Sequence, residues 1–214
     1  MKQRALSLDD KATRRTDILN AARQLFLEDS RQLPSAARIA QTAGLAKGTV
    51  YLYFRTKEEI FISLLEEDFT GLLQTVHASL EENSEPKGLA GLIGGITNYI
   101  NQHQEMLRLD AMSYSVLEQN LNDEQLRSFK LNLTNGLVFV GARLDEVLDL
   151  PAGRGVSLLM RTYALIRGLW QSLDHPPSML AMLADPIFSP IRPDFQTELV
   201  AALNEYWRGA LSVR

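Results

Sequence analysis

Apolar residues recur three and four positions apart along most of this chain, and nowhere do they alternate with polar ones over a run long enough for a convincing strand. The first such segment carries Ile18, Ala21, Ala22, Leu25 and Phe26 on one helix face, with Lys11, Arg14, Arg15 and Arg23 at other positions. Pro34 and Ser35 mark the next boundary, where the Ser35 hydroxyl can cap a second helix running to about Ala43. Ile39, Ala43, Leu45 and Val50 fall at the spacings by which two short helices bury facing sides, and Ala40 is small enough to let them approach. Gly44 fills the turn between them, because glycine reaches positive φ without a Cβ penalty. A third helix is predicted from about Ala46 to Tyr53.

Beyond a short break at 54–56, Ile60, Phe61, Leu64, Leu65, Phe69, Leu72, Leu73, Val76 and Leu80 form one stripe. It predicts a single helix over about 57–82, roughly 39 Å long and able to act as a rod between two halves of the protein. The segment ENSEPKG at 82–88 has the composition of a helix-helix connection. Further helices are predicted near 88–103, 105–119, 123–149 and 152–174, with Pro151 closing the third of these and Pro176 and Pro177 ending the fourth. The five prolines of 174–194 predict mostly loop with one short helix, and a last helix follows over 194 to about 211. The expected fold is all-α, without internal repeats.

Composition narrows the function classes. The 214 residues are 45% apolar and carry a net charge of −4, which argues against a general polyanion binder. The charge is unevenly spread: residues 1–60 hold 11 Lys and Arg against 7 Asp and Glu, a balance of +4, leaving −8 for the remainder. Contact with DNA is therefore expected only at the N-terminal end. With no cysteine there is no disulfide or thiolate metal site, and the start MKQRALSLDDKATRR lacks the apolar core of a signal peptide. The longest apolar runs, such as LAGLIGGI at 89–96, fall well short of the roughly 20 residues that span a bilayer. A cytoplasmic protein without membrane insertion is expected.

The candidate chemistry concentrates in residues 39–57. Lys47, Thr49, Tyr51 and Tyr53 are donors of the kind used on phosphates and base edges, and Gly48 removes a side chain where a backbone can approach DNA closely. Lys2 and Arg4 read as a solvated arm. Catalysis has little support: there is no Gly-x-Ser-x-Gly elbow, and GLIGG at 91–95 lies inside a helical pattern rather than after a strand. His77, His103 and His175 show no metal-ligand spacing, so no metal or cofactor is expected.

Over about residues 14–65 the chain resembles the TetR family of bacterial transcriptional regulators. The resemblance rests on ILNAARQLF at 18–26 and SAARIAQTAGLAKGTVYLYFRTKEEIF at 35–61, with the A-G, K-G-T, Y-x-Y-F and K-E-E elements in register. It implies a helix-turn-helix DNA-binding domain at 1–56 and a helical ligand-sensing and dimerisation domain at 57–214. It also implies a homodimeric, ligand-responsive repressor on a pseudo-palindromic operator, with an effector of unknown identity. By the same resemblance Lys47, Gly48, Thr49 and Tyr51 would face the major groove, with Ser35, Tyr53 and Lys57 on the phosphate backbone. A ligand pocket is implied too, for which His77, His103, Met106, Met112, Tyr114, Phe139, Tyr163 and Arg167 are candidate lining residues, since they lie on helices of the bundle. Arg167 shares a helix face with Val156, Met160, Tyr163 and Trp170, so its guanidinium must be paired, snorkel outward, face an interface or meet an anionic ligand. The implied dimer helices are 152–174, through Val156, Leu159, Met160, Tyr163 and Trp170, and 194–211, through Phe195, Leu199, Leu203 and Trp207.

Two positions depart from the family pattern. Ala46 stands where a serine N-cap is usual, removing a cap worth about 1 kcal/mol. Asp29-Ser30-Arg31 replaces the usual glycine and aromatic after the first helix. Two other classes stay open. An all-helical enzyme on the same scaffold would need a convergent polar cluster, and a non-specific architectural DNA-binding protein would need more positive charge.

Overall fold

A computed structural model describes residues 8–29, 31–82 and 88–212, and every regular element among them is helical. The arm at Lys2 and Arg4, Ser30 in the turn after the first helix, and residues 83–87 of the expected linker lie outside the described residues. The α-helices are α1 (Leu8–Glu28), α2 (Ala36–Thr42), α3 (Lys47–Tyr53), α4 (Lys57–Glu82), α5 (Gly88–Gln102), α6 (Gln104–Met112), α7 (Asp123–Val147), α8 (Arg154–Leu173), α9 (Pro177–Leu183) and α10 (Phe195–Ser212). Most match the periodicity closely. Two segments differ. The five-proline segment 174–194, expected to be mostly loop, holds α9 and a 3₁₀ helix at Pro186–Ile191, because proline is tolerated in the first turn of each. The predicted helix over 105–119 is α-helical only to Met112, widens into a π-helical turn at Ser113–Leu117, where the Glu118 N–H donates to the Ser113 carbonyl, and ends in a 3₁₀ turn at Glu118–Asn120. One extra residue in a turn leaves the apolar spacing on either side helical, so periodicity does not register it.

Two compact units form, and they do not follow a single cut in the chain: one takes 1–68 and 108–130, the other 69–107 and 131–214. In the first, Ile18, Ala22 and Phe26 of α1, Ile39 of α2, Val50 of α3 and Ile60, Phe61, Leu64 and Leu65 of α4 are all buried, as the stripes predict. The Phe26 and Phe61 rings lie 5.8 Å apart. Two arginines of α1 brace this core. Arg23 Nη1 bonds Asp68 Oδ1 at 2.8 Å, and the Arg15 guanidinium sits 5.1 Å from the centroid of Phe54 while donating to Ser63 Oγ at 3.0 Å.

In the second unit α10 packs on α5 and α8, and Leu199, Leu203 and Trp207 are completely buried within the single chain. This corrects the dimer face expected on 194–211, because side chains already removed from water by their own chain have no apolar surface left to give a partner. Leu159 and Trp170 of α8 are likewise buried, whereas Met160 is exposed. The α7–α8 connection, residues 148–153, is longer than the two residues at 150–151 that the sequence implies. α7 stops at Val147, Gly153 takes φ +81° as the cap of α8, and the Asp145 carboxylate accepts the Gly153 and Gly155 N–H groups at 2.7 and 2.5 Å. There Gly155 lies so close to the Gly141 carbonyl oxygen that no Cβ fits between them. None of the described helices is long and apolar enough to cross a membrane.

These contacts give two glycines opposite expectations. Gly155→Ala forces a methyl group into a backbone carbonyl and should cost about 1–3 kcal/mol of stability. Gly94→Ala, inside α5 with open space around the new methyl, should add about 0.5–1 kcal/mol. Urea denaturation of the two variants checks both signs, and a gain from Gly155→Ala would refute the close α7–α8 approach.

Candidate nucleic-acid interface

The segment with DNA-binding chemistry is built from its caps inward. Ser35 is the N-cap of α2, with φ −72° and ψ 149°, and its hydroxyl oxygen accepts the Arg38 N–H at 3.3 Å. Its own O–H proton stays available to a further acceptor. α2 ends in a Schellman motif. Leu45 N–H donates to the Ala40 carbonyl at 2.8 Å, Gly44 N–H donates to the Gln41 carbonyl at 3.1 Å, and Gly44 holds φ +66°. The glycine is demanded by that angle and not by crowding, since among the described residues beyond its chain neighbours nothing lies within 4 Å of a Cβ built there.

Ala46 is the N-cap of α3 and provides no side-chain hydrogen bond, as its identity requires. The helix is held from its other side by two apolar residues, Val50 and Phe54, both buried. With about 100° of rotation per residue, burying Val50 turns Gly48 and Leu52 directly outward. Lys47 and Tyr51 then fall on one flank, Thr49 and Tyr53 on the other. Burial follows this arrangement: Lys47, Gly48, Tyr51 and Leu52 are exposed, while Thr49 and Tyr53 are half-buried. Lys47 Nζ lies 5.9 Å from the Tyr51 ring centroid. Among the described residues, nothing beyond its chain neighbours and α3's own backbone lies within 4 Å of a Cβ built on Gly48, so packing against other elements does not explain that glycine.

At the start of α4, Thr56 Oγ1 accepts the Glu59 N–H at 3.1 Å, and the Glu59 carboxylate accepts the Arg55 N–H at 2.6 Å. This close variant of a capping box places a carboxylate at the helix's positive end. Lys57 Nζ lies 3.9 Å from Glu58 Oε1, which partly offsets its charge.

Sequence reasoning missed three parts of this region. Leu52 is 82% exposed on the outermost line of α3, a position that the rotation from Val50 would have given. The T-x-x-E spacing of Thr56 and Glu59 was a readable capping signal. The Arg15–Phe54 contact joins residues far apart in the chain and left no local trace.

The candidate ligand-lining residues are more scattered. His77 stacks on Phe139 at 5.2 Å, His103 on Tyr99 at 4.3 Å, and Tyr163 meets Phe69 edge-on at 5.2 Å. Met106 is fully buried and Arg167 half-buried, but Phe139 is 66% exposed. Met112 and Tyr114 belong to the first compact unit and the other six to the second. Tyr114 is 61% exposed, with Lys130 Nζ 5.1 Å from its ring centroid.

Residues 18–64 match the family described as bacterial regulatory proteins, tetR family, and residues 66–214 match the tetracyclin repressor-like C-terminal domain. The Fatty acid metabolism regulator protein of Bacillus subtilis (strain 168) is 28% identical over 143 residues, covering 62% of this chain and 70% of that protein. Five further curated regulators and repressors align over only 33–45% of their own length. Among solved structures, a TetR-family regulator from Mesorhizobium loti MAFF303099 superimposes with a TM-score of 0.64 at 18% identity, covering 94% of this chain and 96% of that one. FadR from Bacillus subtilis in complex with stearoyl-CoA superimposes with a TM-score of 0.55 at 21% identity, covering 92% and 97%. At these identities the structural likeness is one of fold.

Ala46 gives this region its most direct test. Ala46→Ser supplies the absent cap and should stabilise the protein by about 1 kcal/mol, with slower amide exchange confined to α3. Unchanged exchange in α3 would mean that its first N–H groups gain nothing from a cap.

Proposed function

This chain belongs to the TetR family of transcriptional regulators, and from that premise we propose a ligand-responsive repressor that binds a pseudo-palindromic operator as a homodimer. The observation that carries the reading is the outward face of α3, where Lys47, Gly48 and Tyr51 stand exposed and no packing among the described residues requires the glycine. Residues 1–56 form the DNA-binding domain and 57–214 the sensing and dimerisation domain. Lys47, Thr49 and Tyr51 reach base edges while Gly48 lets the backbone approach the duplex. Ser35, Tyr53 and Lys57 hold phosphates, Ser35 through the hydroxyl proton left over from capping α2.

One seven-residue helix covers only a few base pairs. Two of them related by a two-fold axis, about 34–36 Å apart, read both half-sites. The faces proposed for the dimer are the exposed ones: Met160, Ala164 and Gly168 along α8, and Val200 and Ala201 on α10. They replace the buried Leu199, Leu203 and Trp207.

For the effector we propose a long-chain acyl-CoA. Support comes from the Bacillus subtilis relative, named a fatty acid metabolism regulator, and from the FadR structure, which holds stearoyl-CoA. The six candidate lining residues of the second unit, with His77 and Phe139 already stacked, are the proposed contacts. α4 runs without interruption from Lys57 to Glu82 and contributes residues to both units, so a displacement of its C-terminal half is carried along a continuous hydrogen-bonded helix. A coupling of about 1–3 kcal/mol is enough to change operator affinity 5- to 150-fold.

Fluorescence anisotropy on a duplex selected from random DNA tests these assignments. Tyr51→Ala should narrow the ratio between that duplex and random DNA. Lys57→Ala should weaken both alike and reduce the salt slope by about 1. Equal effects from the two variants would contradict the division into base-reading and phosphate-holding residues. Stearoyl-CoA added to the wild-type complex should lower operator affinity at least about fivefold, and no change would remove the acyl-CoA proposal while leaving DNA binding intact.

A further inference from the structure

The most exposed large apolar side chain among the described residues is neither in the sensing half nor on a dimer face: it is Leu52, 82% exposed at the outermost line of α3. One turn earlier on the same line stands Gly48, which has no side chain, and one residue earlier stands Tyr51, itself 46% exposed. Whatever α3 docks against meets Leu52 first. A single exposed leucine on a protein surface needs no explanation in general. This one projects from the middle of a face whose other groups are cationic or polar, with Lys47 on one flank and Arg55 exposed just beyond the helix. A face of that charge suits a polyanion, and a leucine offers such a surface neither a hydrogen bond nor an ion pair.

The major groove does present one apolar group, the C5-methyl of thymine, which is read by van der Waals contact. We propose that Leu52 is a specificity-determining residue that packs against a thymine methyl in each operator half-site. The proposal rests on the DNA-binding reading of α3 and adds a base identity to it. Polar donors on the flanks fix the helix on the duplex, and Leu52 rejects cytosine at its position because cytosine lacks the methyl group. Truncating Leu52 leaves the fold intact, since its side chain makes no part of the core.

The test replaces thymine by deoxyuridine one position at a time in the duplex that the protein selects from random DNA, removing one methyl and no hydrogen-bonding group. The wild-type chain should lose affinity about fourfold at one thymine in each half-site. Leu52→Ala should bind that duplex more weakly, keep the wild-type salt slope, and bind the thymine and deoxyuridine forms equally. Absence of a sensitive thymine, or the same sensitivity in Leu52→Ala, would overturn the proposal while the DNA-binding reading stood. Failure of the wild-type chain to prefer any duplex over random DNA would instead overturn that reading, and this inference with it.

Discussion

The burial of Val50 and Phe54 is the constraint on which the rest of the DNA-facing structure depends. An isolated helix of seven residues is not stable in water, and α3 carries a glycine and two β-branched residues that lower its propensity further. It exists because the core of the first unit holds one side of it and because both of its ends are fixed. The Schellman turn at Gly44 sets the direction of entry, and Phe54, beneath the Arg15 guanidinium, sets the exit. Once Val50 points inward, the period of the helix leaves no freedom over the remaining positions. Gly48 and Leu52 must face outward, with one pair of donors on either side. The surface chemistry of this segment is therefore a consequence of its packing.

The second unit shows the same dependence in a different form. Gly141 and Gly155 let α7 and α8 approach to backbone contact, and the Asp145 carboxylate takes up the N–H groups that begin α8. With α8 placed, α10 fills the space against α8 and α5 with Leu199, Leu203 and Trp207. Those three side chains make the fold of one chain, which moves any association surface to residues on the other side of the same helices.

Much of this was legible in the sequence, for identifiable reasons. The stripes of α1 and α4 are long, so their periods are unambiguous, and most positions the spacing marks are buried; Phe69 and Leu73 are half-buried, and Leu19, Ile62, Ser63 and Asp68 are buried outside the stripes. Gly44, Ser35 and Ala46 were readable because capping is decided by one residue and its immediate neighbours. The failures have a common cause. Periodicity identifies which face of a helix is apolar but not whether that face meets its own chain or another, and so the α10 stripe was assigned to a dimer. The π turn at Ser113–Leu117 was hidden because its flanks stay helical. The candidate lining residues were chosen by chemistry on helices whose mutual placement no local signal encodes, and Tyr114 and Phe139 proved largely exposed.

The central claim is that two copies of α3, each presented by the Val50 and Phe54 anchor, read DNA together. Sequencing the duplexes that the wild-type protein enriches from a random pool addresses it directly. The account predicts two inverted half-sites whose centres are about 10–10.5 base pairs apart, one turn of the double helix. Enrichment of a single asymmetric motif, or of none, would contradict it.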